Sequence, residues 1–302
     1  MSEENDNQLP DSIYPGIGKF KIFIYFTFFL LLGILLNFNF SKVIDSTIKS
    51  ALKKMRSCPI KYETVAMEMF PPGISFENLQ LSGSCFGNKN AKVSLSESAL
   101  SLIGPSFSPP GLKFRLKGKE NKTKLAIYAS VSPLGQLIKM EKIFLDKEFV
   151  KNMTGDDVKI DLSLLVDAQI KISGNDIESA SFNIRSKDLF FPAQNINQIF
   201  PLPAIPFKTL KIKGIIKKKK VSFQQLIIGA KSSPMFVDFK GSMNLNNKRF
   251  MESKIDLSGK LKTTEDIFTA LTLFSPGIKS KKQSDGSVDV SLKGSLKSPK
   301  LL

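Results

Sequence analysis

Leu162-Ser163-Leu164-Leu165-Val166-Asp167-Ala168-Gln169-Ile170-Lys171-Ile172-Ser173-Gly174 is the stretch that decides the fold class. Leu162, Leu164, Val166, Ala168, Ile170 and Ile172 recur at every second position, and polar or charged residues fill most of the gaps. A strand turns successive side chains to opposite faces, so a period of two marks a strand with one apolar and one polar face. A helix would repeat its apolar residues every three to four positions. Gly174 ends the run as a turn residue.

The same alternation recurs outward from this segment. Ile74, Phe76, Leu79 and Leu81 precede Gly83, and Leu112, Phe114 and Leu116 precede Gly118. Leu210 and Ile212 lead to Gly214, Val237 and Phe239 to Gly241, Ile255 and Leu257 to Gly259, and Val288, Val290 and Leu292 to Gly294. Repeated strands with glycine near their ends predict an antiparallel meander, with glycine at turns and bulges. One hairpin reads directly: strands 209–216 and 221–228 flank a turn made of Lys217, Lys218, Lys219 and Lys220. Two short helices are expected to interrupt the sheet. Residues 134–150 carry Leu137, Ile138, Met140, Ile143 and Phe144 between Pro133 and Gly155; residues 263–274 open with the capping pair Thr263 and Asp266 and stop before Pro276. Residues 279–286 read as a loop.

Ahead of the β-rich part, the residues between Lys21 and Lys42 carry no charge. As a helix rising about 1.5 Å per residue they span a hydrocarbon core about 30 Å thick. Residues 19–41 are therefore the predicted membrane anchor, with Ile22, Phe29, Leu36 and Phe40 along it. No polar face interrupts it, and Asn37-Phe38-Asn39-Phe40 lacks the small residues of a signal cleavage site. Residues 1–18 form a short tail, acidic at Glu3, Glu4, Asp6 and Asp11. Residues 42–57 keep helical spacing, with Ile44, Ile48, Leu52 and Met55 on one face and Lys49, Lys53, Lys54 and Arg56 on the other. Such a helix suits an anionic lipid surface or the wall of the folded domain equally well. The β-rich domain then occupies 58–302. Lys19 and Lys21 precede the anchor and Lys42, Lys49, Lys53, Lys54 and Arg56 follow it, so a strict positive-inside count puts the C-terminal side in the cytoplasm. Long domains translocate largely regardless of charge, which leaves the orientation open.

The 302-residue chain carries 44 Lys and Arg against 27 Asp and Glu, a formal net charge of +17. That balance favours anionic partners. Nucleic acid is not expected: the lysines alternate with apolar residues, there is no Trp, and base stacking needs aromatics among the basic groups. Lys49, Lys53, Lys54 and Lys217 to Lys220 are the candidate contacts for anionic lipid. A solvated turn that discourages edge pairing is the competing reading of the second set. The chain has no His, so it lacks the commonest general base and metal ligand near neutral pH. It shows no nucleophile elbow, P-loop, dinucleotide fingerprint or EF-hand. Asp156, Asp157, Asp161 and Asp167 read as solvated carboxylates. A non-enzymatic protein without a cofactor or metal is expected. Cys58 and Cys85, the only cysteines, fit one disulfide in an oxidising space; two separate buried thiols are the alternative.

Four features together resemble the type II secretion system protein N (GspN) family and the related AsmA-like periplasmic proteins. The first is the order, one N-terminal anchor and then a large β-rich domain. The second is the segment from Phe70-Pro71-Pro72-Gly73 to Leu81-Ser82-Gly83. The third is the run from Leu202 to Lys262, with a Pro-rich opening, the Lys-turn hairpin, Gly229, Gly241 and Ile255-Asp256-Leu257. The last is the closing Val290-Ser291-Leu292-Lys293-Gly294-Ser295-Leu296-Lys297-Ser298-Pro299. The acidic tail and the two cysteines depart from that pattern. The resemblance implies an elongated, curved antiparallel sheet, a half-open barrel or groove, in the periplasm of a bacterium with its anchor in the inner membrane. It implies an accessory, non-catalytic role in type II protein secretion beside other secretion proteins. The AsmA-like side implies an alternative, a lipid-binding or lipid-transfer protein with phospholipid on the apolar strand face.

Overall fold

The computed structural model describes Thr27, Leu30 and residues 45–50, 52, 58–86, 91–107, 110–154, 159–174, 176–196, 200–246, 252–274, 283–284 and 286–301. The chain divides into two units, Met1–Thr47 and Ile48–Leu302. In the first, Thr27, Leu30 and residues 45–47 are helical, and in the second so are residues 48–50 and 52. No helix among the described residues is long and apolar enough to cross a membrane. Apart from Thr27 and Leu30, the predicted anchor lies outside those residues, as do Ile22, Phe29, Leu36 and Phe40.

The second unit is built on strands. In chain order they are β1 (Ile60–Lys61), β2 (Thr64–Met69), β3 (Pro72–Ser82), β4 (Lys92–Phe107), β5 (Pro110–Glu120), β6 (Thr123–Ser132), β7 (Gly135–Leu145), β8 (Leu164–Ser173) and β9 (Asp176–Phe191). There follow β10 (Gln194–Ile196), β11 (Phe200–Leu202), β12 (Ile205–Lys217), β13 (Lys220–Ile228), β14 (Met235–Asn244), β15 (Lys254–Thr263), β16 (Ser287–Ser295) and β17 (Ser298–Leu301). All except β10 and β11, which pair with each other, join one 15-stranded sheet. Every pairing in it is antiparallel, and strands follow one another in sequence order with β9 beside β12. β1 and β2 share one edge of β3, β17 lies at the other limit of the sheet, and the two limits do not pair, so the sheet is not closed. The meander read from the alternating pattern is present.

A meander places alternate connections at opposite ends of its strands. One end, called here the helical end, receives the chain at Cys58 and carries a 3-10 turn (Gly83–Phe86), helix α1 (Lys147–Thr154) between β7 and β8, and helix α2 (Glu265–Phe274) between β15 and β16. Asp146 starts α1. Its Oδ1 accepts the Phe149 N–H at 2.8 Å, its Oδ2 accepts the Lys122 N–H at 3.1 Å, and its own N–H donates to the buried Thr123 hydroxyl. Such a cap satisfies N–H groups that a helix start leaves without partners. The other end, the hairpin end, carries among its described residues connections between neighbouring strands, such as Phe70-Pro71, Pro133-Leu134 and Lys218-Lys219.

Three local expectations are corrected. Residues 134–150 are not one helix: β7 runs to Leu145, and only 147–154 are helical. The cause is a bulge. Lys142 adopts φ 50° and the register shifts between Met140 and Ile143, so these two, three apart as on one face of a helix, share a strand face. The second helix begins at Glu265 rather than Thr263. Thr263 closes β15 opposite Met235, and the Phe268 N–H bonds the Thr264 carbonyl at 2.9 Å as the first helical turn. Finally, Gly118, Gly241 and Gly259 lie inside strands rather than at turns; Gly214 is also inside its strand, but at an expected bulge, where the register of β12 and β13 shifts between Lys213 and Gly214. At Gly214 the reason is steric, since a Cβ there would lie 2.6 Å from the Phe182 ring.

Candidate functional site

Residues directly opposite in an antiparallel pair point to the same face, so the register identifies each face. One row crosses the whole sheet from β2 to β16. It runs Met67, Ile74, Leu100, Leu116, Ile127, Met140, Ala168, Phe182, Gly214, Phe223, Gly241, Leu257, Leu292. A parallel row runs Phe114, Ala129, Ile138, Ile170, Ala180, Ile216, Val221, Met243, Ile255. A third runs Ile143, Val166, Ile184, Ile212, Leu226, Phe239, Gly259, Val290. None of these residues is charged or carries a polar side chain. The glycines are part of the design: Phe182 and Phe223 meet edge-on across Gly214, with ring centroids 6.4 Å apart.

The opposite face carries the polar and charged residues, with Leu137, Leu165, Ile215 and Ile227 among them. One of its rows reads Arg115, Tyr128, Lys139, Gln169, Ser181, and another Asp167, Asn183, Lys213, Gln225. Three of its charged groups have local partners. Arg185 bonds Asp167 at 3.0 Å, the Lys142 N–H bonds the same carboxylate at 2.9 Å, and Arg115 lies over the Tyr128 ring at 5.6 Å.

Cover distinguishes the ends of the apolar face. At the helical end α1 inserts Phe149 against Val93 and Leu95, and Val150 against Leu162 and Leu189. There α2 adds Phe268 to the cluster of Val237, Phe239, Leu257, Leu261, Val288 and Val290, and Ile267 to that of Ile205 and Phe207. Away from these helices, Ile127, Ile138, Met140, Val166, Ile170, Phe182, Ile184 and Ile212 are only half-buried. Nearer the hairpin end, Met67, Leu100, Leu112 and Val131 on this face are exposed. The result is an apolar strip without charge, sealed beneath α1 and α2 and mixed beyond them, where Ala180, Val221 and Ile255 are buried and other residues are partly exposed.

The residues singled out from sequence fall as follows. Cys58 and Cys85 are joined in a disulfide, with Cα atoms 4.5 Å apart, which ties the segment before β1 to the 3-10 turn after β3. Lys49 is helical and exposed, its Nζ 5.9 Å from the Tyr62 ring centroid; Lys53 and Lys54 lie outside the described residues. Lys217 and Lys220 pair across a two-residue turn whose Lys218 and Lys219 have φ of 47° and 66°, and all four are exposed. The structure does not bring the two lysine sets together at one place: Lys49 contacts Tyr62 just beyond the point where the chain enters the sheet, and the turn belongs to the hairpin end. Asp161 bridges Phe190 through backbone bonds, while Asp156 and Asp157 lie outside the described residues. No group of three or more Cys, Asp or Glu arranged for a metal occurs among the described residues.

One carboxylate escaped the sequence reading. Asp188 on β9 accepts the Ser163 N–H at 2.9 Å and hydroxyl bonds from Ser163 and Ser186, with Lys147 of α1 at 3.6 Å. Burial alone would raise its carboxyl, but these donors outweigh burial and hold it below its ordinary value. It acts as a clasp between α1, the start of β8 and β9. No family model matches the chain, and no curated protein or solved structure matches it.

Proposed function

We propose that the β-domain binds acyl chains of lipid along its uncharged face, as a non-enzymatic lipid-binding or lipid-transfer protein of the cell envelope. The observation that carries this reading is the apolar row from Met67 to Leu292, unbroken by any charged or polar side chain. Each partly exposed isoleucine on the face leaves about 0.2–1 kcal/mol of burial unrealised, and an acyl chain gains about 0.8 kcal/mol for each buried CH₂. A contiguous apolar strip of this length on a water-soluble fold asks for a ligand or a cover. The apolar face has the chemistry of the AsmA-like groove implied by the resemblance.

In this reading residues 19–41 hold the protein in a bacterial inner membrane and the β-domain lies in the periplasm, an oxidising space suited to the Cys58–Cys85 bond. Accessory service to a type II secretion system rests on the resemblance alone and stands behind lipid binding. Normal release of secreted enzymes from cells lacking the protein would remove it.

Ile170 and Gln169 are neighbours on β8 that point to opposite faces. A photoreactive residue placed at 170 in the full chain should yield a lipid adduct on irradiation in cells, and one at 169 should not. Equal adducts at both positions, or none at 170, would sink the proposal.

A further inference from the structure

The hairpin end carries a second set of features that the apolar face does not need. Phe70, Phe107 and Leu134 stand at the turns β2–β3, β4–β5 and β6–β7 and are 93%, 84% and 78% exposed. Large apolar side chains at successive tips serve no packing role, because no described residue covers them. Successive turns at one end of a meander lie about 10 Å apart, two strand spacings. Further along the same end stands the β12–β13 tip with Lys217, Lys218, Lys219 and Lys220. Between them, the β8–β9 tip carries Asp176 and Glu178; Glu178 is paired with Lys171 at 3.0 Å. Apolar prongs beside a cluster of lysines are the chemistry of a surface that enters an anionic bilayer, the prongs reaching the acyl boundary and the lysines meeting phosphates.

We infer that the hairpin end is a docking surface for an anionic membrane, with Phe70, Phe107 and Leu134 inserting and the β12–β13 lysines holding lipid phosphates. The chain enters the sheet at the opposite, helical end, where Cys58 and Cys85 lie. β4, with 16 residues between the two ends, is about 50 Å long at about 3.3 Å per residue. The membrane met by the tips is therefore a different surface from whatever is next to residue 58. Leu112 and Val131, exposed residues of the apolar face, lie at this same end, under the Phe70, Phe107 and Leu134 tips. The inference stands without the lipid-binding reading, because it concerns the tips and not the face.

The test uses the full chain incorporated in vesicles of zwitterionic phospholipid, mixed with a second, fluorescent set. That second set is either zwitterionic or contains phosphatidylglycerol. Capture of the anionic set should exceed that of the zwitterionic set about ten-fold and weaken with salt. Lys218→Asn with Lys219→Gly removes two charges while installing the residues that a turn with two positive φ values prefers, so the hairpin stays folded. This variant should lose most of that preference. Phe70→Ser, Phe107→Ser and Leu134→Ser combined should abolish capture at any salt. Equal capture of both sets, no capture, or capture unchanged in both variants would overturn the inference. So would clustering of the protein-bearing vesicles without the second set, which would make another copy of the chain the occupant. A lipid adduct at residue 170 is a separate readout and is unaffected by any of these results.

Discussion

At the helical end Val288 is 1% exposed and Ile205 2%, sealed under α2 and its neighbours. On the adjoining strands Ile127, Ile170 and Ile184 occupy the same face with the same chemistry, yet they remain half-buried. The strands do not differ; the cover does. Where α1 and α2 reach, the apolar face is a core that holds the protein together. Where they do not, the face is mixed: Ala180, Val221 and Ile255 are still buried, while Ile127, Ile170 and Ile184 keep part of their surface in water. Alternation in the sequence therefore reports which side of a strand is apolar and is silent on what lies against it.

The strongest way to break this comparison is to truncate one side chain on each part. Phe268→Ala opens a cavity beneath α2 and should cost about 3–5 kcal/mol of stability. Ile170→Ala removes a side chain that is only partly covered and should cost less, about 1–2 kcal/mol. Equal losses in denaturant unfolding would mean that the open part is packed as tightly as the sealed one. Next in size is the bond at the helical end. Cys58→Ser releases a closure across a separation of 27 residues and should cost about 2–4 kcal/mol. The melting transition should fall to the same value when the unmutated protein is reduced; an unchanged melt on reduction would show that the bond does not hold that end.

Gly214 tests the open part from within. Its place between Phe182 and Phe223 leaves no room for a Cβ, so Gly214→Ala must displace an aromatic ring and should cost about 1–3 kcal/mol. Because those rings are half-buried, the loss should be smaller than for Phe268→Ala and should come with weaker lipid adduct formation at residue 170. A variant as stable as the original would mean that the rings yield freely.

Much of the architecture was legible, and the reasons are local. Period two from Leu162 to Ile172 needs only the geometry of a strand, and the Lys217–Lys220 hairpin needs only two apolar runs and a polar turn. What stayed hidden depends on partners distant in sequence. The bulge at Lys142 changes the spacing of Met140 and Ile143 in a way that helix and bulged strand share. The uncharged face appears only when register aligns residues from every strand, since no single strand shows that Met67 and Leu292 lie in one row. Gly214 reads as a turn or a bulge, and only the placing of Phe182 and Phe223 on either side of it selects the bulge and shows why no Cβ fits there. Asp188 carries no motif, and Ser163 stands 25 residues away from it.

The smallest effect belongs to that carboxylate, and pH separates it from the others. Asp188 joins β9 to Ser163 and to Lys147 at the start of α1, so it secures the helix that covers the sealed end. Hydrogen bonds and Lys147 outweigh the effect of burial and keep its carboxyl below the ordinary value of 3.8. A group whose folded value is depressed stabilises the fold at every pH above its unfolded value, and that contribution is lost as pH falls through the folded one. Lys147 and Asp188 are both partly exposed, so solvent weakens the pair. Asp188→Asn should then cost about 1 kcal/mol at pH 7, mostly from hydrogen bonds to a charged acceptor. Between pH 7 and about 5 the gap between variant and parent should stay constant; below about 4 it should shrink, because the parent loses the charge that the variant never had. A gap that persists to pH 2 would assign the effect to packing and leave the sealed end without an electrostatic clasp.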